Sequence, residues 1–382
     1  MTILARNEDD VLDAHLRYHF ARGVDFVIAT DHGSSDRTSE IFESYARRGL
    51  LHLIHDPAPG YDQATRVTRM ARLAATEFGA DWVINSDADE FHWPVSGRLK
   101  DIFAAIPPEF GALDLPSAHF LPTRSEADPF YERSVIREVR SGKRKEARRE
   151  LLTKRAHRAR PDIVVSIGNH RVNAEGREPD PEVEPASSVR VVPGWRPIEI
   201  FHFPARSYEQ IEKRTALASK GYATGRGGAL FALPGGGPLD EETRARDAKA
   251  GTSLLHRQGQ LRDWYQEKIL EDEAVAEGIR QGRLMLDDRL RRFFRESGGV
   301  SSGEVPTTGG AMAWPSERPA VAELRADMVR AVRQYEDEQA AIAKCRHELD
   351  AIERSLWWRL GRFLYRFARY VDPRNALARR RG

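Results

Sequence analysis

An α/β fold, with a mostly parallel Rossmann-like sheet flanked by helices and a helical C-terminal region after it, follows from three features of the chain. Apolar runs of strand length alternate with segments of helical periodicity over the first 92 residues, glycines stand where the helical segments stop, and polar, acidic loops follow the apolar runs. Ile3-Leu4-Ala5 is the first apolar run. Val11, Leu12, His15, Leu16 and His19 then recur at helical spacing across Asp10 to Phe20, and Val24 to Ala29 reads as a buried strand ending at Thr30-Asp31. Ser34-Ser35-Asp36 supplies a cap for a second helix, with Ile41, Phe42 and Tyr45 on one face, and Gly49 stops it before the strand Leu50 to Ile54. A third helix spans Asp62 to Phe78, closes at Gly79 and leads into the strand Trp82-Val83-Ile84-Asn85. Sheets of this kind bind ligands at the carboxyl ends of their strands. Those ends carry Arg6-Asn7-Glu8, Asp31 to Asp36, and Asn85 to Glu90.

The 382 residues are 40% hydrophobic and 31% charged, a globular balance that excludes wholesale disorder and a multispan membrane protein. Sixty basic against 58 acidic side chains leave a net charge of +2, so charge alone does not argue for nucleic acid, and no aromatic-interleaved basic motif is present. A single cysteine, Cys345, rules out a disulfide framework and fits a reducing compartment. No apolar stretch of about 18 residues occurs and the start lacks a signal-like pattern. A cytoplasmic location is the expectation.

Residues 1–222 read as one catalytic domain, 223–296 as a helical extension, 297–319 as a Ser/Gly/Thr/Pro-rich linker, and 320–382 as a coiled-coil-like helix with a basic tail. Within the first domain, Arg137 to Arg160 holds eleven Lys/Arg against three Glu, a local basic strip that reads as a solvated loop or as a surface for an anionic acceptor or phospholipid. Beyond the linker, Met328, Ala331, Tyr335, Ile342, Cys345, Leu349, Ile352 and Leu356 recur at steps of three and four, broken by Glu338, which suits self-pairing through residues 321–356. Over residues 355–371, Leu356, Trp357, Leu360, Phe363, Leu364, Phe367 and Val371 share one face, opposite Arg359, Arg362, Arg366 and Arg369. That is an interfacial pattern, and it implies peripheral attachment to the inner face of the membrane.

Asp87-Ala88-Asp89 follows an apolar strand directly. On extended backbone two side chains two apart point the same way, and paired carboxylates suit a hard divalent cation, Mn²⁺ or Mg²⁺, that also grips a diphosphate. Taken together, Arg6-Asn7-Glu8, Asp31-His32-Gly33-Ser34-Ser35-Asp36-Arg37-Thr38 and Asp81 to Phe91 resemble the family 2-type bacterial glycosyltransferases of the GT-A fold, in the branch with an Asp-X-Asp-Glu-Phe ending. The resemblance spans residues 2 to 222. It implies a metal-dependent enzyme that moves a single sugar from a nucleoside-diphosphate sugar, UDP- or GDP-linked, to a cell-envelope glycan or lipid-linked acceptor.

By that resemblance Arg6, Glu8, Asp31, Gln63, Arg66 and Asp87 would hold the nucleotide-sugar, and Asp87 and Asp89 the metal. Asp36 reads as a helix cap and Arg66 alternatively as a solvated helix residue. Glu199 to Lys213 resembles the family's later His-Tyr/Phe-X-X-Arg-Ser block, and its His202 reads either as a core histidine or as the third metal ligand found on this strand in similar enzymes. Asp128 and His170 are the candidates for the base that takes the acceptor proton, each with a structural alternative. A nucleotidyltransferase would need a glycine-rich first loop, and Thr2 to Asp10 holds no glycine. The signatures of processive synthases are absent. The competing class is an inactive scaffold of the same fold that binds membrane through its C-terminal helix.

Overall fold

The computed structural model describes residues 1–58, 62–123, 128–139, 153–174, 189–212, 269–296 and 321–354. They form two units, Met1–Arg325 and Ala326–Gly382. The linker at 297–319, the tail at 355–371 and most of the 223–296 extension lie outside the described residues.

Strand β1 (Thr2–Ala5) pairs in parallel with β2 (Val27–Asp31) and β4 (Trp82–Ser86), and β2 pairs in parallel with β3 (Leu51–His55). The order β4-β1-β2-β3 is that of a Rossmann-like half, as the alternation requires. Successive side chains of a strand face opposite ways. Ile3, Ala5, Val27 and Ala29 accordingly enter one core with α1 (Leu12–Ala21) and α2 (Thr38–Ala46), while Ile28 and Val83 enter another with α3 (Gln63–Thr76). Helix α1 buries Leu12, His15, Leu16 and His19, the i, i+3, i+4, i+7 stripe of its sequence. Asp62 caps α3, its carboxylate accepting the Thr65 N–H at 3.2 Å. Gly49 and Gly79, expected as stops, both sit at positive φ, 71° and 58°.

After β4 the pattern changes. Strand β5 (Glu90–Pro94) leaves the parallel set, and β6 (Ala112–Leu121), β7 (Ile136–Glu138) and β8 (Thr153–Arg158) extend the sheet by antiparallel pairs, β8 lying between β6 and β4. Helix α4 (Leu99–Ala105) follows β5, and the short α5 (Phe130–Arg133) precedes β7. Strands β9 (Val164–Val165) and β10 (Val172–Asn173) form a small ladder over α3. Strand β11 (Ile198–His202) pairs with β5 antiparallel and with β6 in parallel.

The described end of the 223–296 stretch is built into this first unit. Helix α6 (Asp272–Arg280) leads to β12 (Leu284–Leu286), which pairs with β7, and α7 (Arg289–Glu296) sends Leu290, Phe293 and Phe294 into the first core. It therefore contributes a strand as well as helices. The continuous helix α8 (Val321–Arg354) starts five residues before the unit boundary, and its part within the C-terminal unit exposes Tyr335, Ile342, Cys345 and Leu349. No helix among the described residues is long and apolar enough to cross a membrane.

Candidate active site

The loops after β1 and β2 are stitched together by their own polar side chains. Asn7, in the left-handed region at φ 57°, accepts the Ser35 N–H at 2.8 Å and its own N–H donates to Ser34 Oγ at 3.1 Å. The Glu8 N–H donates to Thr38 Oγ1 at 2.8 Å. Asp36 accepts the Thr38 and Asp9 N–H groups at 2.9 and 3.3 Å, so it starts α2 and ties it to the first loop.

Arg206, four residues beyond the end of β11, joins these loops to the acidic motif. Its side chain is fully enclosed and donates to both Asp10 oxygens at 2.7 and 2.9 Å and to Glu8; Nη1 also lies 3.6 Å from Asp89. Burial opposes its charge, but Glu8 and Asp10 hold it above the usual arginine range. Glu8, expected as a nucleotide contact, thus has its carboxylate drawn to Arg206.

Asp87-Ala88-Asp89 is a turn, with the Glu90 N–H donating to Asp87 O at 3.2 Å, and not the extended segment the sequence suggested. The two carboxylates therefore diverge. Asp87 accepts from Lys154 Nζ at 2.6 Å, from Gln63 Nε2 at 3.2 Å and from Asn169 Nδ2 at 3.5 Å. Asp89 lies 3.5 Å from His202 Nε2 and 3.6 Å from Arg206. Register explains the second set, since His202 pairs with Glu90 and Asp89 O accepts the Phe203 N–H at 2.9 Å. His202 also meets His119 at 3.4 Å. Burial disfavours the charge on His202, yet Asp89 outweighs it and the pKa is raised.

Lys154 comes from β8. Antiparallel pairing of Trp82 with Arg158 and Ile84 with Ala156, continued two residues, sets it opposite Ser86 at the end of β4. There its Nζ lies 2.6 Å from Asp87 and 2.7 Å from Glu90, with the side chain 8% exposed. Burial opposes its charge, but the two carboxylates hold it above the ordinary lysine range. A cation held by Asp87, Asp89 and His202 would need the three to converge, and among the described residues no group of three or more His, Cys, Asp or Glu side chains gathers around one point. These residues do not fit a ready-made metal site.

Gln63 bridges two elements, giving its amide N–H to Asp87 and accepting the Gly168 N–H at 3.0 Å. Gly168 has φ 72°, and a Cβ there would meet His170 Cδ2 at 2.6 Å, so this turn needs glycine. Asn169 follows at φ 61°; with Asn7 it is one of two non-glycine residues of positive φ among those described, and both border the site. His170 Nδ1 lies 2.9 Å from Thr153 O. A carbonyl only accepts, so Nδ1 carries the proton and Nε2 keeps its lone pair. Burial lowers the His170 pKa.

Of the other expected residues, Asp31 is buried and accepts the Ser34 N–H at 3.0 Å, with the exposed His55 ring 3.9 Å away. Arg6 is exposed on the adjacent loop. Arg66 Nε donates to Asp56 at 2.9 Å, and its other nitrogens donate to the Asp62 and Ala58 carbonyls, so it braces the start of α3. Asp128 is largely exposed and pairs with Arg133 at 3.2 Å, whose Nη2 donates to Arg206 O at 2.9 Å. The structure brings Gln63, Asp87 and the loop carrying His170 together, and Glu8 and Asp89 around Arg206 with His202 beside Asp89; Asp31, Arg66 and Asp128 stand in other contacts. Lys154, Glu90, Asp10, Asn169 and Arg206 escaped the sequence reading. Three of them stood inside stretches the sequence marks: Glu90 in the Asp-X-Asp-Glu-Phe ending, Asn169 in Gly168-Asn169-His170, and Arg206 in the late His-X-X-X-Arg-Ser stretch.

Beneath the turn, His15 and His19 of α1 and His92 of β5 are buried together. His15 Nε2 meets Ser86 Oγ at 3.0 Å and His19 Nε2 meets His92 Nδ1 at 3.1 Å. Burial keeps all three uncharged, with His15 lowered to about 3.

Residues 2–189 match the model of glycosyltransferase family 92, a span that holds β1 to β10 and the acidic turn but ends before His202 and Arg206. No curated protein matches the chain. Among solved structures, Staphylococcus aureus TarS 1-349 in complex with UDP is similar at 14% identity and a TM-score of 0.35, over 74% of this chain and 91% of that one. The same TarS fragment in complex with UDP-GlcNAc gives 14% and 0.34 over the same shares. The narrower family 2 label is not what the family match returns; glycosyl transfer is common to the two families. On that match, which takes in the acidic turn and the strands around it, the protein is a glycosyltransferase.

Proposed function

We propose that the protein transfers a single sugar from a nucleoside-diphosphate sugar, UDP- or GDP-linked, to a hydroxyl of a cell-envelope glycan or lipid-linked acceptor. The observation that carries this is the acidic turn Asp87–Glu90 at the carboxyl end of β4, tied by Arg206 to the loop after β1. The nucleoside would lie over the ends of β1 and β2, with Arg6 at the rim and the Asp31 oxygen that faces His55 turned to ribose or base. As the sugar departs, negative charge builds on the diphosphate. Fixed cations nearby stabilise that charge without reorganising, and among the described residues Lys154 and Arg206 stand at the turn, joined by His202 when it is protonated.

His170 is the better placed acceptor base. Its Nδ1–H is spent on Thr153 O, which leaves a neutral Nε2 to take the hydroxyl proton. Asp128 is the second candidate, and its exposure and pairing with Arg133 favour it less. Exposed Tyr335, Ile342 and Leu349, spaced seven apart on α8, support self-association through residues 321–356, and the sequence pattern at 355–371 supports contact with anionic lipid.

The test is direct. The full chain is incubated with a panel of UDP- and GDP-sugars and a polyprenyl-phosphate-linked sugar, and nucleoside diphosphate release and product mass are followed. One donor class should be consumed with an added hexose-sized mass on the acceptor, and Asp87→Asn should slow it by about 10²–10³. If no sugar nucleotide binds or turns over, the proposal is wrong.

A further inference from the structure

The acidic turn already has a cation. Lys154 is not a flexible surface lysine: its strand is fixed between β4 and β6, its register sets it at the end of β4, and its side chain is 8% exposed. Its ammonium touches both ends of the motif, donating a charge-assisted hydrogen bond to Asp87 Oδ2 at 2.6 Å and forming an ion pair with Glu90 Oε1 at 2.7 Å. A Mn²⁺ or Mg²⁺ ion bound to the same Asp87 oxygen would sit about 2.0–2.3 Å from it. Ammonium and ion would compete for one position. Asp89 offers no way round, because the turn aims it at His202 and Arg206 instead.

We infer that Lys154 is the resident cation of the acidic turn, taking at Asp87 the place a divalent ion would take, so that metal reaches Asp87 only by displacing this ammonium. Glu90 follows from the same geometry as the second holder of Lys154; its buried carboxylate keeps the ammonium beside Asp87. The charge that such motifs elsewhere borrow from solution is here part of the polypeptide. The inference rests on reading the turn as the donor site, but its test contains no nucleotide or sugar. Its failure therefore leaves that reading standing, and turnover of sugar nucleotides judges the reading separately.

The experiment is a Mn²⁺ titration of the full chain followed by electron paramagnetic resonance, on the wild type and on Asp87→Asn, Lys154→Met, Lys154→Arg and the double variant Lys154→Met/Asp87→Asn. The wild type and Lys154→Arg should show no Asp87-dependent Mn²⁺ binding at sub-millimolar concentrations. Lys154→Met should bind Mn²⁺ at least about tenfold more tightly, as expected when one like charge is removed from a few ångströms away, and the double variant should lose that gain. Micromolar Mn²⁺ binding by the wild type that Asp87→Asn abolishes would overturn the inference. So would a folded Lys154→Met that binds no more tightly than wild type. Should Lys154→Met fail to fold, the wild type and Asp87→Asn pair decides alone.

Discussion

Lys154 and Arg206 are both enclosed cations facing one acidic turn, yet they work over different distances. Lys154 lies on a strand beside β4 and holds two carboxylates of a single turn. Arg206 lies in a loop and binds Glu8 and Asp10, 198 and 196 residues away in sequence, as well as Asp89. The first sets the charge of a site whose shape the sheet already determines. The second determines the shape, since without it the loops after β1 and β4 would present like charges to each other.

Arg206→Met is the sharpest way to break that contrast. It leaves the buried Asp89 and the part-exposed Glu8 and Asp10 without their cation, a change worth about 1–3 kcal/mol, and chemical denaturation should show a loss of that order, larger than for Lys154→Met. Equal losses would mean that Arg206 has no special role in joining the loops. Asp87→Asn acts on the other side of the comparison. It should leave the fold intact while lowering the rate of transfer by about 10²–10³, the range seen when one preorganised polar group of an active site is removed.

Acid should separate the cations from what lies beneath them. Both cations stay charged across this range, whereas His15, His19 and His92 are buried in the uncharged form. As pH falls below about 6.5 the unfolded chain takes up protons that the folded chain refuses, so each of these histidines lowers stability by about 1.4 kcal/mol per pH unit. For His15 the loss continues to about 3, where the folded state protonates too. Urea midpoints at pH 7, 6 and 5 would show the slope, and a flat profile would contradict the burial of the cluster. Smaller again is Gly168→Ala, which forces a Cβ against His170 at φ 72° and should cost about 1–3 kcal/mol, with Michaelis constants rising as the Gln63 contact shifts. The smallest expected effect belongs to Asp128→Asn, within about 0.5 kcal/mol in stability. A loss of transfer rate of 10²-fold or more in that variant would move the base from His170 to Asp128.

The parallel half of the sheet was legible because strands covered on both faces read as continuous apolar runs, and Gly49 and Gly79 marked the helix ends. The antiparallel half was not. Strand β6 contains Pro116 and several polar residues, β5 starts inside the acidic motif, and β8 reads Thr-Lys-Arg-Ala-His-Arg, which looks like part of a solvated basic strip. Lys154 is buried there because its partners are charged, a reason invisible to any hydrophobic pattern. The same limit hid Arg206, whose partners lie nearly 200 residues upstream. Asp87 and Asp89 were legible as a pair, but the turn that sends them apart depends on where β5 must go to meet β11.

Phe293 and Phe294 complete the core that Ile3, Leu12 and Tyr18 begin, with the Phe293 and Tyr18 rings 5.0 Å apart. During synthesis on the ribosome, the amino-terminal layer therefore waits for nearly three hundred residues before its last wall arrives. A chain cut after residue 189 would keep the acidic turn and Lys154 but lose β11, Arg206 and this aromatic closure. It would emerge with wet core surfaces and an unpaired sheet edge, the kind of nascent chain that chaperones retain.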